Sequence, residues 1–76
     1  MDATEMDVLT FQAAEKAYLT NNDTAKMIGY IEQYPEGLHR PQALYYLCAN
    51  EMLTKNDVGA LKYATEIVEK YPKAEV

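Results

Sequence analysis

The sequence predicts an all-α fold of four helices arranged as antiparallel helical hairpins, and three observations point to it. Apolar residues recur three and four apart in four separate segments, the spacing of a buried helix face, and no stretch alternates strictly enough for a strand. Breaks rich in Asn, Asp, Pro and Gly divide the segments at residues 20–23 (TNND), 35–41 (PEGLHRP) and 54–57 (TKND). The chain also repeats itself. Leu19-Thr20-Asn21-Asn22-Asp23 returns as Leu53-Thr54-Lys55-Asn56-Asp57 at an offset of 34, and Tyr34-Pro35 returns as Tyr71-Pro72 at an offset of 37. A period of 34 with one helix–turn–helix per unit is the signature of a repeat array. The three-residue mismatch makes the second helix about one turn shorter than the fourth.

In the first helix, Phe11, Ala14 and Tyr18 fall at i, i+3 and i+7, with Val8 just before them. Asp23 then stands where an N-cap stands, since its carboxylate can accept from the first free amides of a helix. The second helix places Met27, Ile28 and Ile31 on one face. Pro41 suits the first turn of the third helix, where its missing N–H costs nothing. That helix carries Leu44, Leu47, Cys48 and Met52 along one side. Asp57 is the expected N-cap of the fourth, which has two apolar stripes: Val58, Leu61 and Val68 on one, and Ala60, Ala64, Ile67 and Tyr71 on the other.

Seventy-six residues form one small domain. A chain this short buries only roughly 60% of its unfolded surface. A lone cysteine, Cys48, excludes an internal disulfide, and a lone histidine, His39, with no Cys/His cluster, argues against a structural zinc. Stability must therefore come from helix packing, from a partner copy or from neighbouring repeats. Twelve acids against seven bases give a net charge of −5, and the bases form no stripe. Nucleic-acid binding, which rests on phosphate neutralisation, is not expected. No apolar run approaches the length of a membrane span, so no direct membrane insertion is expected. MDATEMDVLT places acids where a signal peptide places bases.

The segment RPQALYYLCANEM followed by LTKNDVGALKYATEIVEKYPKAEV resembles a tetratricopeptide repeat. In that family a first helix carries a large residue and then a leucine followed by a small residue; a second carries an early alanine, and a proline closes the unit. Leu44, Leu47 and Cys48 match the first helix, with Cys48 in place of glycine or alanine, and Ala60 and Pro72 match the second. The wording is similar to repeats of bacterial envelope proteins and of large Bacteroidetes proteins. Two repeats follow, at about 4–35 and 38–72. Ala13-Ala14 serve as the small pair of the first, although Lys26, beside Ala25, takes the place equivalent to Ala60. Glu51 and Ala64 stand where the family has aromatics. The resemblance implies a right-handed superhelical stack. Each repeat leaves one apolar face for a neighbour to cover. Only Lys-Ala-Glu-Val follows Pro72, so the chain is read as a fragment of a larger protein whose fourth helix is under-covered.

Enzyme chemistry finds little support. There is no Ser, His39 lies in a turn as an expected surface residue, and Cys48 lies on an apolar helix face where a thiolate is disfavoured. Glu66 and Glu69, three apart, read as a solvated helix face rather than a catalytic pair. No cofactor and no metal are expected. The seven tyrosines are more informative, because Tyr combines contact area with a polar tip. Tyr45 and Tyr46 lie about 100° apart on one helix, so one packs and the other faces a groove or solvent.

The resemblance places a groove over Gln42, Tyr45, Ala49, Met52 and Leu53, and over Phe11, Gln12 and Glu15 of the first helix. None is basic, which argues against the Lys/Asn clamp by which some members of that family hold a C-terminal carboxylate. The expected function is non-enzymatic: a protein–protein interaction module or scaffold, with Phe11, Tyr45, Ala49 and Met52 as candidate contacts to a protein segment or neighbouring repeats. The resemblance suggests a bacterial cell-envelope setting, in the periplasm or at the outer membrane. The alternative is a structural spacer or homodimerisation repeat without a groove ligand.

Overall fold

The computed structural model describes residues 3–73. They form α1 (Ala3–Asn21), α2 (Ala25–Gln33), α3 (Arg40–Leu53) and α4 (Asp57–Lys70), with no strand among the described residues. The fold is all-α and repeat-like. α1 pairs with α2, α3 with α4, and the α2–α3 contact joins the two hairpins. α2 has 9 residues and α4 has 14, so the shorter second helix is present as expected.

Both Asn/Asp-rich breaks are turns that reverse the chain with one residue in the left-handed region, Asn22 (φ 56°) in the first and Lys55 (φ 62°) in the second. Asn enters that region at little cost. Each turn is closed from the preceding helix: the Asn22 N–H bonds the Tyr18 carbonyl (2.8 Å), and the Asn56 N–H bonds that of Glu51 (2.8 Å). The N-cap assignments shift by one residue. Asn56, not Asp57, caps α4, its side-chain oxygen accepting from the Gly59 N–H at 3.1 Å. Asn and Asp cap equally well, and Asp57 instead begins the helix, where its charge favours the positive end of the dipole. Likewise Thr24 is the N-cap position of α2, while Asp23 sits one residue earlier and accepts from the Ala25 N–H at 2.9 Å. Pro41 lies in the first turn of α3.

The core gathers Phe11 and Ala14 from α1, Met27 and Tyr30 from α2, and Ala43 and Leu47 from α3. Tyr18, Ile31, Tyr34, Tyr46 and Tyr63 pack around it. Two predicted stripes were centred wrongly. The buried face of α2 runs through Met27 and Tyr30, and Ile28 is exposed. On α3, Leu44 and Leu47 are buried while Met52 is 65% exposed. α4 has no buried residue. Its Ala60, Ala64 and Ile67 and the C-cap Tyr71 are half-buried, and its other stripe, Val58, Leu61 and Val68, faces solvent.

Two polar ties cross between the hairpins. The Arg40 guanidinium donates to the Ile31 carbonyl of α2 and, at 2.7 Å, to Glu66 of α4. The Tyr46 hydroxyl of α3 donates to Glu15 of α1 at 2.7 Å, with the Tyr46 and Tyr18 rings 5.2 Å apart.

Candidate functional site

At 100° per residue, Tyr45, Ala49 and Met52 share one face of α3, turned away from Leu44 and Leu47. Tyr45 is 49% and Met52 65% exposed, Leu53 beside them is exposed, and Ala49 and Gln42 are half-buried. No charged residue falls on this face. The adjacent tyrosines divide as their spacing requires. Tyr46 packs on Tyr18 and bonds Glu15, a hydrogen bond that, with burial, pushes its hydroxyl pKa up. Tyr45 remains at the surface.

The α1 side of the expected groove does not form as predicted. Phe11 is 5% exposed and belongs to the core, so it is no contact residue. Its ring stacks on His39 (centroids 4.5 Å, 16° between planes) and meets Tyr30 edge-on at 5.4 Å. Glu15 is held by Tyr46, leaving Gln12 as the exposed member of that set. His39 is likewise half-buried against Phe11 rather than a free surface residue, and its Nδ1 has no partner among the described residues.

One polar cluster escaped the sequence reading. Asp7 is 8% exposed. The Tyr30 hydroxyl donates to one of its oxygens, and the Leu38 N–H donates to the other at 2.9 Å. The same hydroxyl accepts from the His39 N–H at 3.0 Å. Burial, then the bond to Asp7, raises the Tyr30 pKa well above the ordinary tyrosine range. A signal for Asp7 was present: residues 7, 11, 14 and 18 continue one helix face, so its carboxylate enters the core and must find donors. Gly37 completes the arrangement. A Cβ there would lie 2.5 Å from the Tyr30 hydroxyl oxygen, so only glycine lets the turn close over it. These bonds hold the 34–39 turn against α1 and α2.

Other chemistry is sparse. The Cys48 thiol, half-buried, donates to the Ala60 carbonyl at 3.4 Å, which draws α3 close to α4. Glu66 is engaged by Arg40. Among the described residues, no group of three or more His, Cys, Asp or Glu side chains could hold a metal ion, and no helix is long and apolar enough to cross a membrane. No protein-family model matches the chain, and comparison with curated proteins and with solved structures returned no significant match.

Proposed function

We propose that the chain is a non-enzymatic, tetratricopeptide-like interaction module whose α3 face receives an apolar or aromatic protein segment. The observation that carries this reading is the uncharged, solvent-facing surface of Tyr45, Ala49, Met52 and Leu53 on a helix whose opposite face is core. Partly exposed Tyr and Met are the residue types that anchor protein interfaces. The repeat reading draws support from the hairpin order, from the 34-residue offset and from the Cys48–Ala60 approach, where two small residues let the helices meet. On this reading the hairpins, at about 4–35 and 38–72, stack as a right-handed superhelix within a larger bacterial protein, with the cell envelope as its setting.

Selection of binders from a random peptide library tests it. Selected peptides should carry apolar or aromatic anchors. Tyr45→Ala and Met52→Ala should each weaken them about tenfold, a hot-spot loss of about 1.4 kcal/mol, with helicity by circular dichroism unchanged. Peptides that bind both variants as tightly as the parent chain would place the groove elsewhere.

A further inference from the structure

Among the described residues, none covers the outer face of α4, which forms an exposed ridge. Val58, Leu61, Thr65 and Val68 follow the three-four-three spacing of a helix-pairing seam, and Val58, Leu61 and Val68 are 82%, 67% and 68% exposed. The first hairpin shows what this chain does with such a face. Met27, which corresponds to Leu61 at the offset of 34, is fully buried. Ile31, which corresponds to Thr65 at the same offset, packs on the core, whereas Thr65 is exposed. The same positions are covered in one hairpin and bare in the other.

The edge of the ridge identifies what fits it. Lys62 follows Leu61 and Glu69 follows Val68, so the two charges lie seven residues apart on one edge, two turns from each other. A twofold axis perpendicular to α4 brings like edges together in opposite directions. Centred between Thr65 and Glu66, it sets Lys62 of each copy across from Glu69 of the other, two ion pairs from one self-complementary edge. A parallel pairing would instead set Glu69 opposite Ala64.

We propose that α4 is a self-association surface, on which two copies of this chain pair antiparallel through Leu61, Thr65 and Val68, flanked by reciprocal Lys62–Glu69 pairs, with Val58 at the edge of the overlap. A 14-residue helix is about 21 Å long. Two such helices alone cover less than the roughly 1,200–2,000 Å² of a stable interface, so the dimer is weak and reversible. The proposal does not rest on the α3 reading, and Tyr45→Ala leaves it unmoved.

Sedimentation equilibrium of the full chain up to about 1 mM, the range of weak association, tests it together with three variants. The expected results are a reversible monomer–dimer equilibrium and a dissociation constant raised at least ~10-fold by Leu61→Glu, which removes a central contact. Glu69→Lys should raise it about 3- to 10-fold by setting like charges together. The Lys62→Glu, Glu69→Lys double variant should return to within about threefold of the parent by reversing both charges. Helicity should be unchanged throughout, since all these side chains face solvent. A chain that stays monomeric at the highest concentration overturns the proposal and leaves the ridge to a different protein. A dimer indifferent to Leu61→Glu overturns it by placing the contact on another face. A Glu69→Lys effect that is absent, or that the double variant fails to rescue, overturns the antiparallel arrangement.

Discussion

Phe11→Ala is expected to lower the unfolding free energy by about 3 to 5 kcal/mol, the cost of emptying a packed aromatic site. Phe11 is nearly inaccessible, and its ring holds His39 by stacking and Tyr30 by an edge contact. Removing it takes packing from α1, from α2 and from the entry to α3 together. A chain of this length has a total stability of about 4 to 11 kcal/mol, so the loss is a large fraction of the total and should lower the urea midpoint clearly. Tyr45→Ala and Met52→Ala, on the exposed face of α3, should each change stability by no more than ~0.5 kcal/mol. Urea titrations of the three variants by circular dichroism read the contrast directly. If Phe11→Ala unfolds at the same urea concentration as the parent, Phe11 is a surface residue and the groove regains its α1 wall.

Asp7→Ala should cost about 2 to 4 kcal/mol, because it strips the acceptors from the Tyr30 hydroxyl, in a buried setting, and from the Leu38 N–H, in a part-buried one. The coupling can be isolated. In a double-mutant cycle with Tyr30→Phe, the two changes should fall short of additivity by about 1 to 2 kcal/mol; strict additivity would show that the hydroxyl and the carboxylate do not depend on each other. The same network predicts alkaline sensitivity, and the sign follows from the direction of the Tyr30 shift. Burial and Asp7 hold the phenol protonated in the folded chain, whereas an unfolded tyrosine ionises near ~10. Above that pH the unfolded state binds fewer protons than the folded one, so stability contributed by this group is complete below about pH 10 and declines above it. Tyr30→Phe should flatten that decline.

Periodicity located four helices because each carries an apolar face at helical spacing, and the Asn/Asp and Pro/Gly breaks fall between them. It misplaced what depends on more than apolar spacing. Counting only apolar residues passed over Asp7, which shares the Phe11 face but is satisfied by donors from α2 and from a turn about thirty residues away. It also centred α2 on Ile28, because Tyr30, amphipathic by composition, is buried only through a hydroxyl partner that lies on another helix. The N-cap of α4 was one residue off because Asn56 and Asp57 adjoin and either can cap, and that of α2 because Asp23 reaches the Ala25 N–H from one residue before the cap position. Phe11 entered the groove through family resemblance, and a neighbouring histidine covers it instead. Tyr45 and Met52 stand at the surface, and the bare stripe of α4 was visible as a second apolar face of that helix.

Arg40 reaches three helices with one side chain: it begins α3, bonds the carbonyl of Ile31 in α2 and pairs with Glu66 in α4. Peeling α4 away would strand the guanidinium without its anion, at the place where it also secures the end of the first hairpin. The energetic consequence is cooperativity. A fault in the second hairpin is transmitted to the first, so the two melt as a single unit rather than fraying from one end as loosely coupled repeats do. Amide hydrogen exchange in α1 and α4 should then report one common opening free energy, and two distinct values would mean that the arginine joins helices that open separately.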